Sequence, residues 1–365
     1  MQFKKGMLVG LIMVWIFPTL VLASARIVHI TKNTVIVRMG AHGQDIVYQV
    51  VGTDKEDMDL YYLNTATQIL KKITPPKKLR PFGPQVHEGK MLYAAGNFYK
   101  KVDIYLYDLK NSKHQTLEKN VPWIPSMALT TSENGPHLFY DSAKDFDGLA
   151  ATINYRGGTV GNTDQGPWQI IGPIFRGNDI PPQYHEQIKN EYPAASVSHE
   201  NDSLIVFQNN EYGTPNIYSL NLDKKSYARL LPSINYQERP AVSDRLIAWE
   251  ESEKGFSVSN ESEIVILDRH NGEIIRNFHK GFHFQARAFG PYAVYGAKRA
   301  PSLSTPSIRV FDMNKKIEYQ AQNCFPGSIF DFVPGSEGVY VAQKVTSNSS
   351  RILFATWDQI KNECR

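Results

Sequence analysis

The residues most capable of chemistry lie mainly in the second half of the chain. Glu238, Glu250 and Glu251 are the acids we nominate, since two carboxylates at the mouth of a channel can supply the acid and base of a glycoside hydrolase or a lyase. Near them are aromatic, cationic and amide side chains of the kind that bind a protein segment or a glycan. The candidate set is Tyr236, Gln237, Glu238, Arg239, Glu250, Glu251, His283, Gln285, Arg287, Arg299, Tyr212 and Trp123.

The best-known catalytic and metal-binding motifs are missing from the sequence. The segment GFSVS at 255–259 only approximates the nucleophile motif G-x-S-x-G. His87-Glu88 and His185-Glu186 lack the second histidine of H-E-x-x-H. We therefore predict neither a metal ion nor a cofactor.

The elements that must position the candidate residues are short, repeated strands. An apolar strand, a polar turn and a second strand recur about every 45 residues, which is a period typical of propeller blades. Asn, Asp, Gly and Lys in the turns are typical of β-hairpins. The copies begin at Leu60, Ile104, Ile217, Ile264 and Ile308, with a weaker copy at Ile352.

A second pair of strands precedes several of these hairpins, at 84–94, 195–207 and 240–249. Four strands per unit predict an all-β fold in which residues 26–365 form a single β-propeller. The number of blades is seven, with six as the alternative. In the seven-blade interpretation, the long gap after the second hairpin holds a degenerate third blade and a short helical insertion at 174–195.

The repeated units resemble the TolB-like, WD40-like propeller repeats of bacterial exported proteins. The segment GTPNIYSLNLDKKSYARLLP at 213–232 is similar to that family's G-x-x-x-I-Y followed by a polar hairpin. The segment at 195–207 resembles the preceding strand pair, although SHEND at 198–202 replaces the usual Ser-Pro-Asp-Gly turn. The resemblance covers most of residues 47–357 and implies an architecture, not an activity.

The first 25 residues predict a signal peptide. Lys4 and Lys5 precede an uncharged apolar run, and Ala-Ser-Ala at 23–25 is a typical cleavage site. The alternative is an uncleaved N-terminal anchor. We expect an exported monomer, periplasmic or secreted, with no membrane span after cleavage. Its 365 residues carry a net charge of +4, or +2 without those two lysines, which indicates no nucleic-acid partner.

The two chain ends compete to close the ring. RIVHI at 26–30 is the more strand-like segment and is favoured, while the tail at 359–364 is the alternative. Cys324 and Cys364 are the two cysteines. Export to an oxidising compartment favours a disulfide that pins the C-terminus, and two buried thiols are the alternative.

The repeat, the export signal and the missing motifs together favour a non-catalytic binding propeller. We expect an unidentified protein or glycan partner to bind one face, built from the loops that lead into each first strand and the loops that join the second and third strands. The alternatives are a propeller polysaccharide lyase or glycoside hydrolase, and an envelope assembly or interaction subunit. A fold of this kind does not choose among them by itself.

Overall fold

A computed structural model describes most of the chain. The described residues are 25–52, 58–97, 101–121, 127–132, 135–143, 151–157, 168–171, 195–197, 204–209, 215–221, 226–253, 261–276, 281–298 and 306–364. The signal peptide predicted for residues 1–25 and the helical insertion predicted for residues 174–195 lie outside these ranges, apart from their last residues.

Most of the described residues form β-strands, as their richness in Val, Ile, Tyr and Phe predicts. The first fourteen strands are β1 (Arg26–Thr31), β2 (Thr34–His42), β3 (Asp45–Gly52), β4 (Met58–Asn64), β5 (Ile69–Ile73), β6 (Arg80–His87), β7 (Lys90–Gly96), β8 (Val102–Asp108), β9 (Lys113–Val121), β10 (Met127–Ser132), β11 (Gly135–Ala143), β12 (Ala151–Gly157), β13 (Trp168–Ile171) and β14 (Ala195–Val197).

The later strands follow the same short pattern. They are β15 (Leu204–Asn209), β16 (Asn216–Asn221), β17 (Ser226–Arg229), β18 (Tyr236–Val242), β19 (Leu246–Ser252), β20 (Glu263–Asp268), β21 (Ile274–Arg276), β22 (Phe282–Phe289), β23 (Tyr292–Lys298), β24 (Ser307–Asp312), β25 (Ile317–Gln320), β26 (Ile329–Pro334), β27 (Gly338–Thr346) and β28 (Ser349–Thr356). A 3-10 helix at Pro76–Lys78 and helix α1 (Trp357–Asn362) complete the elements of the described ranges. Neither helix has the length and apolar character needed to cross a membrane.

The described strands pair into five four-stranded antiparallel sheets and one eight-stranded sheet. Each four-stranded sheet is a meander of consecutive strands, namely β6 to β9, β10 to β13, β14 to β17, β18 to β21 and β22 to β25. The larger sheet has the order β26-β27-β28-β2-β3-β4-β5, and β1 pairs with β28 as well. A single parallel residue pair, Thr34 with Ser349, joins β2 to β28.

The first strands of successive sheets are neighbours around a closed circle. In order, β2 contacts β6, β6 contacts β10, and the contacts continue through β14, β18, β22 and β26 back to β2. Sheets arranged radially around such a ring form a β-propeller. The predicted all-β propeller fold is therefore confirmed.

Apolar side chains fill the space between neighbouring sheets. Between the β18–β21 and β22–β25 sheets, for example, Leu246, Ala248 and Ile264 pack with Ala286 and Tyr295, and all five are buried. Each buried Å² of apolar surface contributes roughly 25 cal/mol to folding. A polar side chain on a sheet face near the ring therefore needs a partner, because burying it unpaired costs free energy.

The N-terminal segment pairs with the last strand of the chain. β1 runs antiparallel to β28, and the buried Thr31 hydroxyl lies 2.9 Å from the Ser350 hydroxyl. The competing tail is a helix, because Thr356 and Gln359 form a capping box that starts α1. Cys324 and Cys364 form a disulfide with a Cα–Cα distance of 5.1 Å, which joins the end of the tail to the segment before β26.

Candidate functional site

Nine of the twelve sequence-predicted residues lie on strands near the central ring, so for these nine the expected placement on loops was wrong. The strand residues are Tyr236, Gln237, Glu238 and Arg239 on β18, Glu250 and Glu251 on β19, and His283, Gln285 and Arg287 on β22. Their polarity resembles that of loops, but it serves here to satisfy backbone groups and charges between sheets. Trp123, Tyr212 and Arg299 lie outside the described residues.

The pairing of β18 with β19 divides these residues between two faces of one sheet. Glu238 is directly opposite Glu250, and Gln237 is directly opposite Glu251. Because side chains alternate along a strand, the first pair faces the β22–β25 sheet and the second pair faces the β14–β17 sheet. Two carboxylates that are adjacent in sequence are thereby separated.

Glu251 is held by five donors and has a structural role. Its carboxylate accepts hydrogen bonds from Ser233 Oγ (3.0 Å), Asn235 Nδ2 (3.2 Å), Gln237 Nε2 (3.1 Å), Trp249 Nε1 (3.4 Å) and Arg276 Nη1 (3.1 Å). Burial opposes its ionisation, but the hydrogen bonds from Gln237 and Arg276 and the charge of Arg276 outweigh burial and lower its pKa. This carboxylate stays ionised and ties the loop at 233–235 to two strands.

His283 is also structural. Its backbone N–H donates to Ser262 Oγ (2.9 Å), and its Nδ1 lies 2.6 Å from Ser262 O. The side chain is buried. These bonds fasten the start of β22 to the residue before β20 and leave the imidazole no obvious part in chemistry.

Glu250 is the buried acid of the opposite face. Its Oε1 accepts a 2.6 Å hydrogen bond from the backbone N–H of Gln285, and its Oε2 is 3.5 Å from Arg239 Nη1. The Glu250 side chain is 2% exposed, whereas the Arg239 side chain is 41% exposed. Burial raises the pKa of Glu250 to about 7, with the charge of Glu238 adding to it and Arg239 and Arg287 opposing it. A carboxyl group with this pKa exchanges protons at neutral pH.

Two β-bulges, one in β18 and one in β22, orient the residues around Glu250. The pairing register shifts between Glu238 and Ala241 on β18 and between Phe284 and Arg287 on β22. Within these bulges, Arg239 has φ 52° and Gln285 has φ 55°, in the left-handed region that residues other than glycine seldom adopt. Bulges leave a backbone N–H unpaired and re-aim side chains, and they are frequent beside active sites.

The backbone N–H group of Gln285, which donates to Glu250, has counterparts in two other sheets. There a glutamine side chain accepts the hydrogen bond. Gln49 on β3 accepts from the N–H of Gly83, and Gln208 on β15 accepts from the N–H of Arg239, each at 3.4 Å. The three residues occupy equivalent positions, because each is paired with the apolar residue that begins a repeated hairpin: Gln49 with Leu60, Gln208 with Ile217 and Glu250 with Ile264. A neutral amide is therefore sufficient for this position, and the ionisable group of Glu250 needs another explanation.

Sequence reasoning missed a second buried acid, Asp331 on β26. Its Oδ2 accepts from Met39 N (2.8 Å) on β2, its Oδ1 accepts from Phe332 N (3.0 Å), and its side chain is fully buried. Arg287 Nη2 is 3.8 Å from Oδ1. Burial raises the pKa of Asp331, against the charges of Arg287 and Arg38. The sequence did contain a signal for this acid, since Asp331 is a charged residue inside an otherwise apolar strand.

The described His, Cys, Asp and Glu residues bring together no group of three or more that could hold a metal ion.

No protein-family model matches the chain, and no curated protein does so either. Solved structures do match. An oligogalacturonate lyase in complex with manganese has a TM-score of 0.61 at 12% identity, covering 91% of this chain and 92% of the lyase. The β-propeller domain of the Trilobed protease from Pyrococcus furiosus has a TM-score of 0.60 at 11% identity, covering 94% and 98%. An acylaminoacyl peptidase from Pyrococcus horikoshii has a TM-score of 0.57 at 11% identity, covering 88% of this chain but 51% of the peptidase.

These comparisons support the β-propeller fold that the repeats predict. At such identities the likeness establishes the fold alone. They contradict the hypothesis of a non-catalytic binding propeller, because the matched structures are a lyase and parts of peptidases.

Proposed function

We propose that this protein is a propeller lyase that cleaves uronate-containing oligosaccharides by β-elimination. The observation that carries the proposal is Glu250, a buried carboxyl group with a pKa of about 7, beside the partly exposed guanidinium of Arg239. A lyase of this type needs a base that is active near neutral pH and cations that bind the uronate carboxylate. Both kinds of group lie together here.

Each group has a separate role in the reaction. Arg239 and Arg287 bind the uronate carboxylate, because a guanidinium offers parallel N–H donors that match two carboxylate oxygens. Their charge makes the C5 proton more acidic by stabilising the carbanion that forms beside the carboxylate. Glu250 removes that proton as a general base. The C4–O4 bond then breaks with its electron pair, a C4–C5 double bond forms, and water protonates the departing oxygen.

The lengths of the matched structures support a lyase over a peptidase. The chain and the oligogalacturonate lyase cover each other almost completely, whereas the peptidase match takes in about half of the peptidase. The two acids also suit a lyase better than a glycoside hydrolase. Glu238 and Glu250 are directly opposite each other on one face of the same sheet, so they do not flank a glycosidic bond from two sides as hydrolysis requires.

Incubation with trigalacturonate tests the proposal, with the ultraviolet absorbance of the conjugated double bond as the readout. We expect wild-type protein to form unsaturated product and Glu250→Gln to lose activity by a factor of about 10³. The Gln variant keeps the backbone cap, since Gln49 and Gln208 make the same bond. Unchanged turnover in Glu250→Gln, or products with saturated ends, would refute the assignment.

The number of blades, the processing of the N-terminus and the location of the protein are also proposals. We infer seven blades, with the eight-stranded sheet counted as two: β2 to β5, and β26 to β28 with β1 as the outermost strand. The closed order of the seven first strands supports this count. Residues 1–25 act as a cleaved signal peptide, and the protein works outside the cytoplasm as a monomer. The disulfide between Cys324 and Cys364 supports export to an oxidising compartment.

A further inference from the structure

Asp331 is a buried acid at the point where β2, β22 and β26 come together. It lies on β26 directly after a register shift between Ile329 and Asp331. Its Oδ2 accepts from the backbone N–H of Met39 on β2 (2.8 Å), and its Oδ1 accepts from the N–H of its neighbour Phe332 (3.0 Å). Two backbone donors therefore fix this carboxylate, and one of them belongs to the strand at which the ring closes.

The guanidinium of Arg287 is the less restrained member of the ion pair with Asp331. Its Nη2 lies 3.8 Å from Asp331 Oδ1, which is longer than a hydrogen bond, so the two groups are held together by charge. The Arg287 side chain is 38% exposed, whereas that of Asp331 is fully buried. A change in the attraction should therefore move the guanidinium and leave the carboxylate in place.

Glu250 is a second buried acid on which Arg287 acts. Its Oε1 accepts the 2.6 Å hydrogen bond from the backbone N–H of Gln285, two residues before Arg287 on β22. Burial raises the pKa of both Glu250 and Asp331, and the charge of Arg287 opposes that rise in both. One guanidinium is thus shared by two acids, and each acid draws it away from the other. The other charges that act on the acids are those of Arg239 and Glu238 at Glu250, and that of Arg38 at Asp331.

We propose that Asp331 is a positioning residue that draws the Arg287 guanidinium towards β26 and keeps it from pairing closely with Glu250. The role rests on the proposed function, in which Glu250 is the base and Arg287 binds the substrate carboxylate. A closer guanidinium would fix Glu250 as a permanent anion, in the way that Arg276 fixes Glu251 at 3.1 Å. The base would then be weaker, and fewer N–H donors of Arg287 would remain for the substrate.

Titration of the Glu250 carboxyl carbon by NMR tests this role without substrate, with Glu250→Gln identifying the signal. We expect Asp331→Asn to lower the pKa of Glu250 by about one pH unit, because Arg287 loses its competing anion and moves closer. The asparagine keeps an oxygen that can accept from the N–H of Met39. Arg287→Gln should raise the pKa of Glu250. Adding Asp331→Asn to Arg287→Gln should have no further effect, since Asp331 acts through that guanidinium.

Asp268→Asn is the matched control. Asp268 is likewise a buried acid paired with an arginine, since its side chain is 2% exposed and its Oδ2 lies 2.6 Å from Arg245 Nη2. It is paired with Leu246, four residues along β19 from Glu250, which is roughly 13 Å away at the rise of a strand. The pKa of Glu250 should not change in this variant.

Three results would overturn the role of Asp331. They are an unchanged or raised pKa of Glu250 in Asp331→Asn, an equal shift in Asp268→Asn, and a shift that persists when Arg287 is glutamine. The reverse measurement covers a folding failure of Asp331→Asn. In Glu250→Gln the guanidinium should move towards Asp331 and lower the pKa of that acid, and an unchanged value would likewise contradict the proposal.

The NMR titration also separates this role from the lyase assignment. The midpoint of the rate of trigalacturonate cleavage against pH should move down in Asp331→Asn by the same amount as the pKa of Glu250. If wild-type protein forms no unsaturated product but the pKa of Glu250 responds as expected, the positioning role stands and the lyase assignment fails. If product forms but the pKa of Glu250 does not respond, the lyase assignment stands and the positioning role fails.

Discussion

The two faces of β19 place neighbouring carboxylates in opposite electrostatic states. Glu251 faces five hydrogen-bond donors, including the guanidinium of Arg276, and its pKa is lowered. Glu250 faces one backbone N–H and a more distant guanidinium, and its pKa is raised to about 7. The same residue type is therefore a fixed anion on one face and a proton-exchanging group on the other. Pairs of acids whose surroundings separate their pKa values in this way are typical of acid–base sites.

Under the proposed function, the Glu251 face of β19 stabilises the fold and the Glu250 face carries the chemistry. Glu251 connects a loop and two strands, whereas Glu250 fills a position where two other sheets use glutamine. Neutralising a structural carboxylate should lower the free energy of unfolding strongly. Neutralising Glu250 should lower it little, because burial already disfavours the charged form of that carboxyl group.

The largest effect on stability is expected at Glu251. Glu251→Gln removes the charge opposite Arg276 and replaces an acceptor by a donor, so the free energy of unfolding should fall by about 3 kcal/mol. Glu250→Gln should cause no loss at pH 7. Denaturant titration of both variants checks this, and equal losses would remove the distinction between the two faces.

The stability of Glu250→Gln relative to wild type should depend on pH. The folded pKa of Glu250 is raised from 4.5 to about 7, so wild type loses stability as pH rises through that window. The glutamine variant has no such group. Its advantage should grow by about 2 to 3 kcal/mol between pH 5 and pH 8. Parallel unfolding curves at both pH values would contradict the burial of this carboxyl group.

The pH dependence of turnover should follow the same group. A base must be deprotonated, so the rate should rise with pH and level off above about 7. Arg239 lowers the pKa of Glu250, and Arg239→Gln should therefore move the midpoint upwards by about one pH unit. The measurement is initial rate against pH at saturating trigalacturonate. A downward shift would assign the midpoint to another group.

The smallest effect is expected for an exposed ion pair. Lys316 Nζ is 2.6 Å from Glu273 Oε1, but the two side chains are 58% and 35% exposed. Water already solvates both charges, so Lys316→Gln should change the free energy of unfolding by less than about 0.5 kcal/mol. A loss as large as that of Glu251→Gln would show that burial is not what separates these pairs.

Much of the fold follows from local sequence patterns. The apolar strands that begin at Leu60, Ile104 and Ile264 correspond to β4, β8 and β20, and each is followed by the hairpin partner that its polar turn predicts. The degenerate copy is also a pair of strands, β11 and β12. Local alternation of apolar and polar residues is enough to specify such elements. The helix at 357–362 was harder to predict from the sequence, because it depends on a capping box rather than on the spacing of apolar residues.

The site was only partly predictable. Glu238, Arg239, Glu250, Gln285 and Arg287 were nominated from their types and do lie together. Their nomination carried no information on which face of a strand each would occupy. Asp331 accepts a hydrogen bond from the backbone N–H of Met39, near the other end of the chain, so no local pattern could join them.

Local sequence patterns specify the strands, the hairpins and the repeat, because these depend on contacts between residues near one another in the chain. Which of the two neighbouring acids has a raised pKa depends instead on how strands and sheets pack. Glu250 and Glu251 are one peptide bond apart and chemically identical. Packing of the neighbouring sheet buries Glu250 against the bulge of β22, whereas strand pairing within its own sheet surrounds Glu251 with donors. A pKa is set by burial and by neighbouring charges, and those neighbours come from distant parts of the chain.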